Sequence, residues 1–332
     1  MSTTRIIILI AFAFLLFSLE LIFGSVHIPF SAVWEILTGR GGSHGFYPMI
    51  VLESRLPRAL TAILGGSGLA LSGLLMQTLF RNPLAGPSVL GISSGASLGV
   101  AILVMASGGT GIVVGGYFST AIAAMAGSFL VLLLVMAVAE RLADNTALLI
   151  FGIMLSYFTS AVVSALQFKA SSESLRTFVI WGMGSFTEAN YGQITFMLLA
   201  VAIAIGITLV ILPRLNVLLL GDDYARSMGI NVKRTRFLII VATGIIAGII
   251  TAFCGPVAFI GLAVPHLART IMKTSDHPRL IFPVLMTGAI TGLLCDLLAR
   301  MLELPMNTIA CALGAPVVIF IVFRGARSKA II

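Results

Sequence analysis

Arg55, Arg58 and Arg300 stand at the edges of apolar stretches long enough to cross a bilayer, where a cation must be held or used by something anionic. The guanidinium is a planar fork of donors suited to bidentate pairing, so these three are candidates for docking carboxylates of a partner. The alternative is that they snorkel to the water interface. Arg55 and Arg58 flank Pro57 at the expected start of a span, where the helix dipole favours anions and offers cations nothing. Asp296, Arg300 and Glu303 recur at i, i+4 and i+7 and share one helical face, with acid before base in the favourable order.

A second group lies between two spans, in the stretch 213–236 that reads PRLNVLLLGDDYARSMGINVKRTR. Gly221-Asp222-Asp223 supplies a cap and an acidic first turn, Tyr224 to Met228 a turn or two of helix, Gly229 a stop and Asn231 a second cap. The pattern predicts two short helices in a mixed-charge knob, either a seat for a partner or a solvated connector. Covalent chemistry has no comparable signal. His266 and His277 have no HExxH, GxSxG or GxxxxGK[ST] motif around them, and a lone histidine at a membrane edge reads as interfacial. Cys254, Cys295 and Cys311 are widely spaced and read as small hydrophobes, not as a metal site or disulfide framework. If ATP drives this protein, another subunit must hydrolyse it.

The elements that carry these residues follow from composition. A chain of 332 residues that is 59% hydrophobic and only 10% charged cannot bury its apolar surface in a soluble core, since soluble domains are about 25% charged. The fold is therefore expected to be all-α and polytopic in a membrane. Apolar windows fall at 6–23, 59–80, 89–106, 117–139, 146–168, 191–212, 237–254, 257–268, 281–299 and 305–323. The eighth is too short for a crossing and is bracketed by Gly255-Pro256 and Pro265, which suggests a partial or re-entrant element. Arg5 followed by an apolar run resembles a signal peptide, but Glu20 interrupts its end and the rest of the chain is membrane-like, so it is expected to remain as the first span. Ten windows put both termini on one side. With that side cytoplasmic, fourteen of the 20 basic residues lie inside, as the positive-inside rule requires. The net charge of +8 is thereby explained by topology, and no aromatic-interleaved basic patch points to nucleic acid.

Five long segments resemble one family. They are ESRLPRAL at Glu53–Leu60, GLALSGLLMQTLFRNPLAGPSVLGISSGA at Gly68–Ala96, LGDDYARSMGINVKRTR at Leu220–Arg236, GPVAFIGLAVPHLAR at Gly255–Arg269, and ELP followed by LGAP at Glu303–Pro305 and Leu313–Pro316. In order and over nearly the whole chain, they are similar to the FecCD-type permeases of ABC importers, the BtuC-like family that carries iron-siderophores, haem or cobalamin. The resemblance implies a type II ABC importer fold of about ten helices, with residues 1–332 as a single transmembrane permease domain and a cytoplasmic coupling loop at 213–236. It implies a homodimer in the bacterial inner membrane, in contact with lipid, served by two ABC ATPase subunits and one periplasmic substrate-binding protein. The permease itself would bind no cofactor and catalyse nothing; ATP and Mg would be used by the ATPase.

The resemblance also implies roles for residues. Arg55, Arg58 and Arg300 would receive glutamates of the binding protein. Gly221, Asp222, Asp223, Ala225, Arg226, Met228, Gly229 and Asn231 would belong to two coupling helices seated in the ATPase. Asn82, Leu84, Asp144 and Asn145 would form the cytoplasmic gate, and the fifth helix near Ser156–Gln167 would line the path. Taken alone, Asn82-Pro83 is a good turn and Asp144 or Asn145 a good helix cap. Asn307 stands where the family often has glycine, and asparagine tolerates positive φ, so a turn there is expected to survive. Asp222 replaces a common glutamate, and Gly86 stands where an acidic residue is frequent. An ion-gradient-driven secondary transporter is the rival class, but it would keep ionisable residues near the bilayer midplane, and only Glu20 and Asp296 approach membrane depth, both toward an edge. The cavity residues, rich in Ala, Gly, Leu, Met and Ser, carry no readable code for the cargo.

Overall fold

The computed structural model describes residues 3–24, 26–40, 45–106, 110–142, 144–187 and 189–329, and every regular element among them is helical. In chain order these are α1 (Thr3–Ile22), α2 (Phe30–Leu37), α3 (Tyr47–Met49) running through a π turn into α4 (Leu56–Leu79), a 3-10 turn at Pro87–Leu90, α5 (Ile92–Ala101), α6 (Thr110–Arg141), α7 (Asn145–Lys169), α8 (Ser172–Gly182), α9 (Tyr191–Leu218), α10 (Asp222–Ser227), α11 (Val232–Cys254), α12 (Ile260–Met272), α13 (His277–Leu302) and α14 (Met306–Lys329). The ten apolar windows fall on α1, α4, α5, α6, α7, α9, α11, α12, α13 and α14. Seven helices are long and apolar enough to cross a membrane; α5, α12 and the apolar part of α14 are shorter.

Helix α4 is the axis of the packing. It is buried on every side, against α13, α11, α12 and α9. Helices in lipid gain nothing from hydrophobicity when they meet, so close backbone approach through small residues has to supply the attraction. The α4 glycines do this. A Cβ on Gly66 would collide with the Gly288 carbonyl of α13, and one on Gly73 with the Gly261 carbonyl of α12.

The second contact explains why α12 is short. Gly73 and Leu69, which Gly261 also abuts, lie six and ten residues from the end of α4, about 9–15 Å at 1.5 Å per residue. Helix α12 thus starts inside the bilayer, and the irregular backbone leading to it must be satisfied by protein. Asn307 does part of this: its side-chain carbonyl accepts from Ala258 N at 3.0 Å while its own N–H donates to the Met183 carbonyl at 3.1 Å. The positive φ expected near Asn307 is found instead at Glu303, where α13 ends. Glu303 consequently leaves the helical face it was expected to share with Asp296 and Arg300.

Three boundaries differ from expectation for stated reasons. The α4 rod begins at Tyr47, twelve residues before the apolar window, because the π turn at Ile50–Arg55 carries the helix through Glu53 and Arg55. Helix α9 runs through Pro213 to Leu218, since Leu215 and Leu218 are buried beyond it. Helix α11 begins at Val232, capped by the Asn231 side chain on Arg234 N. The stretch 213–236 therefore contains one short separate helix, α10, and not two. Helices α2 and α8 lie outside the windows; α8 is capped by Ser171, whose hydroxyl accepts from Ser174 N.

Candidate functional site

At one end of α4, the three arginines converge with two acids. Arg58 pairs bidentately with Asp296 of α13, Nε to Oδ2 at 2.6 Å and Nη2 to Oδ1 at 3.0 Å. Arg300 reaches the same carboxylate at 3.3 Å and also pairs with Glu20 of α1. Glu20 is fully buried and Asp296 is 1% exposed, while Arg58 and Arg300 retain 18% and 16% side-chain exposure. Both acids are thus covered by the arginines, and only the arginines reach the surface.

Arg55 is more deeply buried than the other two, and it joins Arg300, which donates to the Glu20 and Phe23 carbonyls at 3.2 and 2.6 Å, in serving the end of α1. It is 4% exposed, and its guanidinium donates to the carbonyls of Leu21 and Ile22, both at 2.7 Å, and of Val26. These follow or belong to the last turn of α1, where carbonyls lack helical partners and the dipole favours a cation. Because the rod starts at Tyr47, Arg55 lies about two turns inside its own helix, and it serves the end of a neighbour. Glu20 is the residue whose role the sequence did not disclose, although an acid closing an otherwise apolar span signals a buried partner.

At the opposite end of α4, turns meet instead of spans. Asp222, at the start of α10, lies between Arg81 of the turn after α4 (3.7 Å) and Arg236 of α11 (3.3 Å). Arg236 also donates to the Leu142 carbonyl, in the turn between α6 and α7, at 2.9 Å. Asn145, the first residue of α7, donates to the Leu79 carbonyl that ends α4, also at 2.9 Å. Asn82 closes an Asx turn by accepting from Leu84 N, and Leu84 is exposed. Asp144 caps α7 by accepting from Thr146 N and Ala147 N, and those hydrogen bonds hold its carboxyl below the usual aspartate range. The four residues expected at a gate thus occupy two adjoining turns, and the α10 segment is tied to both through Asp222.

Within α10, Ala225 is buried and anchors the helix, while Asp223, Tyr224, Arg226 and Met228 face outward. Gly221 and Gly229 take positive φ on either side, as their turns demand. His277 is not interfacial as expected. It is 1% exposed, between the Thr78 hydroxyl at 2.7 Å and the Asn216 side-chain oxygen at 2.6 Å, joining α4, α9 and α13. Cys254 and Cys295 are buried in the helix packing.

The chain is similar to known proteins in sequence and fold. Residues 9–324 match the FecCD transport family. The vitamin B12 import system permease proteins BtuC of Salmonella paratyphi A and Salmonella typhi are each 36% identical over 283 residues, covering 84% of this chain and 85% of theirs. Among solved structures, an inward-facing transporter described as of the metal-chelate ABC type superposes with a TM-score of 0.82 at 28% identity, over 95% of this chain and 97% of that one. PsaBC from Streptococcus pneumoniae shares the fold at a TM-score of 0.53 and 14% identity, over 87% of this chain and 94% of its own.

Proposed function

Because the chain belongs to the FecCD transport family, we propose that it moves a metal chelate inward across the bacterial cytoplasmic membrane, with cobalamin as the first cargo to test and ferric siderophore or haem as the others. The chain is a permease of an ABC importer with a BtuC-like all-α fold. The observation that carries the cargo class is the 36% identity to vitamin B12 permeases over 84% of the chain.

In this reading two copies enclose the path, two ATPase subunits hydrolyse ATP with Mg, and a periplasmic binding protein delivers cargo; the permease does no chemistry of its own. The Arg58 and Arg300 end faces the periplasm, where Arg58 offers its part-exposed guanidinium to carboxylates of the binding protein and Arg300, already engaged with Glu20, Phe23 and Asp296, adds positive charge beside it. Arg55 supports that surface by holding α1 against α4. The Asp222 end and both termini face the cytoplasm. ATP-driven movement of α10 reaches the turn at Asn82 and Leu84 through Arg81, and the turn before Asp144 and Asn145 through Arg236. An apolar cavity that grips a chelate weakly releases it readily.

Uptake of labelled cobalamin into cells with and without this gene, in iron-replete medium, tests the cargo. Loss of uptake on deletion is the expected outcome. Unchanged uptake in a host lacking any second cobalamin system removes cobalamin and moves the reading to ferric siderophore or haem.

A further inference from the structure

A groove of about 490 Å³ opens between the end of α6 and the start of α11, lined by Met136, Ala139, Glu140, Lys233, Arg234, Arg236 and Phe237. Its two halves differ in chemistry. Lys233, Arg234 and Arg236 supply three cations against the single carboxylate of Glu140, while Met136, Ala139 and Phe237 supply an apolar wall. Helix α6 ends at Arg141 and α11 begins at Val232, so both close at the same membrane face. Met136 lies five residues before the end of α6, about 7 Å deeper at 1.5 Å per residue. The groove therefore spans the depth at which a lipid headgroup gives way to its acyl chains.

The cations here are poorly served by the chain itself. Lys233 and Arg234 occupy the first turn of α11, where the helix dipole favours anions. Both are exposed, and neither forms a salt bridge among the described residues, Glu140 included. Arg236 is already committed to Asp222 and the Leu142 carbonyl. An anion seated over Lys233 and Arg234 would pair both side chains and add to the favourable dipole interaction of a helix start that Asn231 already caps. A soluble partner would meet the projecting face of α10 before reaching a recess with an apolar floor below the membrane surface.

We propose that this groove binds an anionic phospholipid, its phosphate over Lys233 and Arg234 and its upper acyl segment against Met136, Ala139 and Phe237. Basic pockets between spans on the cytoplasmic side are a recognised setting for such headgroups. The proposal depends on the importer reading only for the leaflet it names; lipid retention is measured without cargo or binding protein, so either idea can fail alone.

The test is native mass spectrometry of the delipidated permease–ATPase complex after incubation with phosphatidylglycerol or phosphatidylcholine. The wild type is expected to retain phosphatidylglycerol preferentially. Lys233→Gln with Arg234→Gln should lower that retention by about fivefold for each charge removed, to the phosphatidylcholine level, whereas Lys233→Arg with Arg234→Lys should keep it. Equal retention of both lipids by the wild type, or unchanged retention by the Gln variant, overturns the proposal. So does loss of the ATPase from the Gln variant with lipid retention intact, which would make the groove a protein contact.

Discussion

The two ends of α4 are both charged, yet they are built differently. The Arg58 end joins spans directly: α1, α4 and α13 meet through Glu20, Asp296 and Arg300, with both acids buried and the Arg58 pair bidentate. The Asp222 end joins turns to α11, through contacts of 3.3 and 3.7 Å, and is mixed: Arg236 is buried at 4% exposure, whereas Arg81 keeps 42% of its side chain exposed. Buried paired charges cannot separate without leaving an uncompensated ion, so they fix register. The half-hydrated Arg81–Asp222 pair can part and reform at little cost while Arg236 keeps hold of Asp222. One end is suited to hold a fixed surface and the other to transmit movement.

Asp296→Ala should break the comparison most severely. It strips the shared carboxylate from Arg58 and Arg300, and uncompensated buried charge costs about 3–5 kcal/mol. Thermal unfolding in detergent should show a large loss of stability, and Asp222→Ala a smaller one, since it strands one largely buried arginine and not two. Equal losses would mean that the two ends do not differ in kind.

Arg55→Gln comes next, because the three carbonyls at the end of α1 lose their cation, at about 2–3 kcal/mol for charged hydrogen bonds. Its signature separates support from contact. Affinity of the reconstituted complex for the binding protein should fall less with Arg55→Gln than with Arg58→Gln, although stability falls in both. The reverse order would place Arg55 in the docking contact itself.

Much of this was legible in the sequence. The apolar windows located all ten long or partial helices because hydropathy reports depth directly, and Pro256 announced that α12 would be incomplete, although Pro265, expected to close it, lies inside a helix that runs on to Met272. Boundaries were less legible wherever polar residues continue a helix: nothing in the spacing of Glu53 and Arg55 says that a π turn carries them into α4. Pairing was the least legible. Arg55 reads as misplaced on its own helix because the carbonyls it serves lie in or just after the last turn of α1, 29 to 34 residues earlier, and Asp222 gives no sign that Arg81 and Arg236 flank it. Local pattern encodes caps, as with Asp144 and Asn231, but contacts between helices are set by packing that only the fold supplies.

Asp222→Asn sharpens the contrast at the Asp222 end. The amide still fills the space and its oxygen can accept from Arg236, but the buried guanidinium loses its counter-charge, so loss of stability should be about 1.5–3 kcal/mol. Coupling should suffer as well: in proteoliposomes, cargo moved per ATP hydrolysed is expected to fall by roughly tenfold, equivalent to about 1.4 kcal/mol, with the ATPase still bound. Unchanged stoichiometry would remove Asp222 from the transmission route.

Asp144→Ala should give the smallest effect and carries a pH signature. In the folded protein, the Thr146 and Ala147 amides hold this carboxyl below its ordinary value of 3.8. A depressed folded pKa contributes stability that is present above the unfolded value and is lost as pH falls through the folded one. Wild type and Asp144→Ala should therefore differ by a small, constant interval in Tm between about pH 5 and 8, and converge only in more acidic solution. Arg236 also contributes to this depression, so Asp222→Asn, which frees Arg236 from its nearer carboxylate, should leave the interval intact or widen it slightly. A gap that closed near neutral pH would show that the α7 cap is governed by a different titrating group, and that the two turns at the Asp222 end are less independent of protonation than their hydrogen bonds require.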